Sequence, residues 1–543
     1  MKNEFFVTGK LVDIVNRKMF NAQVHIKNGK IEEIIEIEQE QGMFILPGFI
    51  DSHVHIESSM MIPSSFARAA VQHGTIATVS DPHEIANVLG IPGVEFMIQN
   101  SKKVPFKFFF GAPSCVPATS FETSGASINS TDTEKLINNP DIHYLAEMMN
   151  FPGVIFNDSE VHLKIASAIK AHKPIDGHAP GLKGEDLKKY AAAKISTDHE
   201  CSTYDEAIEK INLGIKIQIR EGSAAKDFEN LFPLVKSHPG NIMFCTDDCH
   251  PNDLIKGHIN KIVSRAIYKD ADIYDVLNAA IKNPIEHYKL NVGLLQKGDF
   301  ADFILVKDLK DFDVVKTYIN GNLVFDNGQV LINKIEEKPI NNFNCEKISQ
   351  KDILVSESKG KVNVIVAKDG DLLTQKLVTE PKIANGEVVV DLERDILKIV
   401  IVNRYKKSQP VVGLIKNFNL KSGAIAGSIA HDSHNIIAIG TNDFDIVEAI
   451  NTIIDNKGGI VACNGKQKVH LKLEVAGLMS TEEANEIAKN YEKVNALAKE
   501  LGSTLTAPFM TMAFMTLLVI PELKIGDKGL FDVSKFEFTT LFT

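Results

Sequence analysis

Cysteine is scarce in this chain. Six residues among 543 are too few and too scattered for a disulfide framework, so a reducing cytoplasm is the expected compartment. Long apolar runs are missing as well. The longest uncharged one, 507–521, has prolines near both ends and falls short of the ~20 residues a membrane span requires. The opening stretch from Met1 to Leu11 lacks the apolar segment of a secretory leader, so neither secretion nor a membrane partner is expected. Positive charge is not in excess either. The 59 Lys and Arg against 70 Asp and Glu leave a net charge of -11 spread along the chain, which argues against nucleic acid as an electrostatic partner. With 44% hydrophobic and 24% charged residues the composition is that of a globular protein, and the length calls for two or three domains.

The first 45 residues alternate in short apolar pieces, Leu11–Val15, Ala22–Ile26 and Ile31–Ile37, with Asn28-Gly29 as a hairpin turn between the last two. The same texture returns at Gly298–Val306 and Val314–Val324, where the turn is Asn320-Gly321. One small β-sandwich domain is therefore expected from residues 1–45 and 295–335 together. Between them, residues 46–294 alternate short strands with helical patterns, which reads as parallel βα units. At about 31 residues per unit, the block is the right length for one (β/α)8 barrel of the TIM type. A polar stretch, Asn333 to Lys361, is the linker candidate, and a C-terminal α+β domain is expected over 336–543.

Chemistry is concentrated at the ends of these strands. His53-Val54-His55 follows an apolar run, and side chains at i and i+2 of a strand project to one face, as ligands of a catalytic metal would. Glu147 follows Tyr144–Ala146, His178 follows Ile175–Gly177, His199 follows Ile195–Asp198, and Asp247 follows Ile242–Thr246. Spacing places the set on strands 1, 4, 5, 6 and 8, at the end of the barrel where active sites are built. Four imidazoles and two carboxylates can hold two divalent cations with one carboxylate bridging. Nitrogen and oxygen donors without thiolate suit Zn, Mn or Fe. Cys245 and Cys249 flank Asp247, but their spacing is not that of zinc cytidine-type deaminases, and buried small side chains are expected there.

Pro47–His55 resembles the opening strand of the amidohydrolase superfamily, and Thr78–Gly90 resembles the adenine deaminase family in particular. So do Glu147–Val154, Asp176–Leu182, Arg220–Ser223, Ala430–Asn435 and Ile520–Lys524, so the resemblance covers essentially the whole chain. It implies hydrolytic deamination of adenine to hypoxanthine and ammonia, in purine salvage, at a binuclear centre of Mn2+ or Fe2+, with Zn2+ as a further candidate. It implies His53, His55, Glu147, His178, His199 and Asp247 as ligands, with Glu147 where many amidohydrolases carry a carbamylated lysine. Asp248, directly after Asp247, is a second candidate for the same role.

In that chemistry a bridging hydroxide attacks C6 and Asp247 accepts its proton as general base. The leaving amino group and a ring nitrogen each need a proton, for which Glu84 or His83 is in place past the second strand. The alternative for that pair is a contact that only shapes its loop. Arg220, Glu221 and Ser223, past strand 7, either hydrogen-bond the purine ring nitrogens or form a structural ion pair. His431 and His434 either close over the site or pack the third domain. The resemblance implies adenine as the small-molecule partner, and a homo-oligomer, dimer or larger, is expected. Competing readings are another amidohydrolase, such as a cyclic amide hydrolase, and a non-catalytic barrel scaffold; the complete ligand set speaks against the scaffold.

Overall fold

The computed structural model describes residues 4–223 and 225–543, so the expectation about the opening segment falls partly on residues 1–3, outside that range. The chain divides into two compact units. The first runs through His83 and includes Glu95–Ser114 and Asn129–Glu336; the second comprises Glu84–Val94, Cys115–Ile128 and Glu337–Thr543. Among the described residues no helix is long and apolar enough to cross a membrane.

The first unit opens with β1 (Glu4–Asp13), β2 (Lys18–Lys27), β3 (Lys30–Glu36) and β4 (Phe44–Pro47). The barrel strands follow: β5 (Phe49–Val54), β6 (Thr75–Ser80), β7 (Lys107–Ala112), β8 (Ile142–Met148), β9 (Ile175–Gly177), β10 (Thr197–Asp198), β11 (Lys216–Arg220) and β12 (Ile242–Cys245). Helices intervene, among them Ser159–Lys170, Gly184–Ala192 and Tyr204–Asn212. β5 to β9 form one parallel sheet and β10 to β12 a second. They join where the Ser196 amide donates to the Ile175 carbonyl at 2.9 Å. Gly177 is required at this seam, because a Cβ there would stand 2.4 Å from the Thr197 carbonyl oxygen.

The ring closes between its first and last strands. The Asp247 amide donates to the His53 carbonyl at 2.9 Å, and the His55 amide donates to the Asp247 carbonyl at 3.2 Å. Side chains reinforce the closure. Thr246 donates from its amide and its hydroxyl to Asp51, at 3.0 and 2.5 Å, and Ser52 Oγ donates to the Phe244 carbonyl at 2.8 Å. The result is a (β/α)8 barrel whose strands are buried on both faces, as all-parallel strands must be when helices cover them.

The small β-domain adds β13 (Phe303–Val306), β14 (Val314–Ile319), β15 (Asn322–Asp326) and β16 (Gln329–Val330). Its strands form a single sheet in the order β16-β15-β14-β13-β4-β1-β2-β3, wrapped around a common core that includes Leu11, Val24, Ile45, Phe303 and Tyr318. Both turns carry the positive φ angles such tight hairpins need: 52° and 77° at Asn28-Gly29, 49° and 73° at Asn320-Gly321.

The second unit contains β17 (Val362–Val366), β18 (Gln375–Thr379), β19 (Lys382–Ala384), β20 (Glu387–Val389), β21 (Ile396–Val402), β22 (Val411–Lys416), β23 (Ala424–Gly427), β24 (Ile436–Gly440), β25 (Ile460–Cys463) and β26 (Lys468–Leu471). The main sheet runs β18-β17-β22-β21-β24-β23-β25-β26, while β19 and β20 pair separately. Helix Asp443–Asn456 buries Ile446, Ala449, Ile450 and Ile453 against this sheet, and Asn442 caps it by accepting the Asp445 amide at 2.8 Å. The stretch read as a linker differs from expectation. Ile353 is buried and Phe343, Cys345 and Ile348 pack on the same core, because a few apolar side chains spaced through a polar segment suffice to dock it.

Candidate metal centre

The ends of the barrel strands converge on one buried cluster. Asp51, His53 and His55 share a face by the two-residue repeat of β5. His55 donates from Nδ1 to the backbone carbonyl of Asp81, 3.1 Å away, which leaves Nε2 facing the carboxylates. That Nε2 lies 3.1 Å from Asp247 Oδ1 and 3.3 Å from Glu147 Oε1. His53 Nε2 is 3.5 Å from the same Asp247 oxygen, and its ring stacks on that of His199 with centroids 4.0 Å apart.

Glu147, at the end of β8, divides the cluster in two. Its Oε1 faces His55 and also His83, whose Nδ1 is 3.3 Å away. Its Oε2 faces His178 Nδ1 at 2.7 Å and His199 Nε2 at 3.2 Å. One oxygen on each side is the arrangement of a carboxylate that can bridge two cations. Burial alone would raise the Glu147 carboxyl, but His178 and His199 beside it hold it well below the ordinary range. Burial would likewise lower His199, and Glu147 instead pushes it up to about 9.

The donor set fits a metal. His53, His55 and Asp247 each bring an atom within 4.8 Å of the others, as do His53, Glu147 and His199. His53 is wholly buried, yet its Nδ1 has no hydrogen-bond partner, and Nε2 of His178 is in the same position. Buried polar atoms are rarely left so without a ligand to satisfy them. Asp247 belongs to this cluster, with its backbone at a φ of 56° turning the side chain inward, whereas Asp248 accepts from Ser58 Oγ.

Two residues that the sequence pattern did not bring forward join the site. Asp81 Oδ2 is 3.2 Å from His83 Nδ1, and His55, Asp81, His83 and Glu147 make a further group of converging donors. The signal was the two-residue spacing of Asp81 and His83 directly past β6, where His83 opens a helix. Glu200, directly after His199, lies 3.5 Å from His199 Nε2 and 3.6 Å from His178 Nδ1.

Arg220 ends β11 in the midst of these acids. Its Nη1 donates to Glu200 at 2.5 Å and to Asp247 Oδ2 at 3.0 Å, and its Nε donates to Asp227 at 3.1 Å. The two oxygens of Asp247 thus have separate surroundings, imidazoles at Oδ1 and a guanidinium at Oδ2. Glu221 accepts the Phe228 amide at 3.1 Å and pairs with Arg265 at 2.7 Å. Ser223 donates to Asp253 at 2.6 Å and accepts the His250 amide at 2.8 Å.

In the second unit, the Glu84 carboxylate meets His431 Nδ1 at 2.7 Å and hydrogen-bonds His434 Nε2. Burial takes His434 down to about 4, so its ring is neutral.

Comparison with known proteins gives the family. Residues 44–324 match the amidohydrolase family, and residues 371–537 match the adenine deaminase C-terminal domain. A protein of Methanosarcina mazei named adenine deaminase is 54% identical, the match covering 98% of this chain and 99% of that one. The namesake of Borreliella burgdorferi is 51% identical over 98% of this chain and 99% of its own. That of Salinibacter ruber is 48% identical over 100% of both. Similarity at this level over the full length, with both parts of the chain matched, places the chain in the adenine deaminase family of amidohydrolases.

Proposed function

We propose that the protein hydrolyses adenine to hypoxanthine and ammonia at a centre of two divalent cations, manganese or iron, with zinc as the further candidate. The observation that carries the reading is Glu147, with one oxygen toward His55 and the other toward His178 and His199. Bound there, the cations would lower the pKa of a water and polarise the group it attacks. His53, His55 and Asp247 would hold one of them and His178 and His199 the other, with Glu147 shared.

The chain's own residues divide the proton work. Asp247 accepts the proton of the attacking water. Arg220 keeps Oδ2 of Asp247 engaged, so the carboxylate presents Oδ1 to the reaction. Glu84 and His83 carry protons to the departing amino nitrogen and to a ring nitrogen, which completes the balance of adenine and water to hypoxanthine and ammonia. Arg220, Glu221 and Ser223 flank the purine. The cysteines are all free and five of the six are buried, which supports a cytoplasmic setting, and we expect a homo-oligomer acting in purine salvage.

Purified protein loaded with manganese should release ammonia from adenine, followed by coupled glutamate dehydrogenase assay. Hydrolysis of dihydropyrimidines with no action on adenine would replace this reading by that of a cyclic amide hydrolase.

A further inference from the structure

Glu84 begins the second compact unit, one residue after His83. Its carboxylate is buried, and two imidazoles from the C-terminal segment hold its two oxygens. His431 Nδ1 is 2.7 Å from Oε1, and His434 Nε2 bonds Oε2 across 350 positions of sequence.

The rings are themselves fixed by backbone. His434 Nδ1 accepts the Ala430 amide at 3.3 Å, so that nitrogen carries no proton and the proton of the neutral ring sits on Nε2, directed at Glu84. The His434 backbone adopts a left-handed φ of 53° and its amide returns a bond to the Ala430 carbonyl at 2.7 Å. The His431 ring stacks on Phe514, centroids 4.9 Å apart and 20° between planes. The His431 amide donates to Ala513 at 3.1 Å and its carbonyl accepts from Thr516 Oγ1 at 2.9 Å.

Packing of the domain alone would not call for two buried imidazoles aimed at the two oxygens of one acid. A carboxylate accepting from a donor at each oxygen is favoured in its ionised form and restricted to one rotamer. We propose that His431 and His434 are positioning residues that hold Glu84 as an oriented carboxylate. The inference rests on the reading of Glu84 as a proton carrier. In that cycle Glu84 takes up one of the two protons released by the attacking water and passes it to the departing nitrogen, returning to the carboxylate the two imidazoles hold.

The test uses the full-length manganese enzyme and the variants His434→Ala, His434→Gln, Glu84→Gln and the double variant His434→Ala/Glu84→Gln. Misorientation of a reacting group costs about 100-fold in rate, so His434→Ala should lose kcat to about that extent. Its KM and metal content should stay at wild-type values, since the proposal has His434 act through Glu84 alone. His434→Gln, whose amide can donate from the place of Nε2, should recover much of the lost kcat; this variant carries the test if the alanine variant does not fold. The double variant should be no slower than Glu84→Gln alone, because the histidine acts only through that acid. Unchanged kcat in His434→Ala, loss of metal in parallel with activity, no recovery by His434→Gln, or full additivity in the double variant would each overturn the proposal. Wild-type protein inactive on adenine would overturn the functional reading with it, whereas an active wild type beside an unimpaired His434→Ala overturns only this inference.

Discussion

Replacing Lys210 by Met should destabilise the barrel by an amount the structure specifies. Lys210 is wholly buried, with Nζ 2.7 Å from Asp198 Oδ2, 2.9 Å from Glu206 Oε1 and 2.7 Å from the Ala179 carbonyl. Asp198 Oδ1 also accepts the Ala179 amide at 2.9 Å. Ala179 follows His178 and Asp198 precedes His199, so this one ammonium ties together the strand ends that carry two candidate ligands. Burial alone would raise the Asp198 carboxyl, and Lys210 brings it down to about 2 instead. Measured from its ordinary 3.8, that lowering corresponds to about 2.4 kcal/mol at neutral pH. Burial would lower Lys210, but Asp198, Cys201 and Glu206 together raise it, and on the carboxylate side His199 and the Ala179 amide add to the pull of Lys210 on Asp198.

The methionine variant forfeits this attraction and also leaves two acids buried without their cation. Breaking a buried pair from one side costs ~3–5 kcal/mol, which is the expected loss in urea unfolding at pH 7. The sign of the pH dependence follows from the depressed folded value: the contribution is fully present above the unfolded pKa and is lost as pH falls through the folded one. The gap between wild type and variant should therefore be widest at neutral pH and narrow below about pH 4. Adding Asp198→Asn should return part of the loss by removing the stranded charge. A gap under about 1 kcal/mol at pH 7, or one that does not change between neutral and acid pH, would refute the reasoning.

Two further substitutions probe the centre. Glu147→Gln removes the anionic oxygens that face both groups of imidazoles and should abolish turnover together with metal retention, measured by plasma mass spectrometry and ammonia release; normal values of both would show that Glu147 is not shared between cations. Asp247→Asn should cost activity far more heavily than Asp248→Asn, because Asp247 faces His53 and His55 while Asp248 accepts from Ser58, and the reverse order in a steady-state comparison would exchange their assignments.

Much of this protein is legible in local pattern. The alternation of short apolar runs with helical stretches marks the barrel, and Asn28-Gly29 and Asn320-Gly321 mark the hairpins of the β-domain. The two-residue repeat of a strand puts His53 and His55 on one face, and each further candidate ligand stands at or just past a strand end. These features follow from backbone geometry over a few residues, so the amino-acid sequence determines them by itself. Glu200 stands beside a residue singled out from the sequence, yet nothing local says that Glu200 meets Arg220 within the cluster. The separate surroundings of the two oxygens of Glu147 and of Asp247 depend on rotamers set by packing across several strands. The hold of His431 and His434 on Glu84 joins residues nearly 350 positions apart, a pairing that no periodicity encodes and that only the folded chain decides, because it is made when separate elements bury their polar groups against one another.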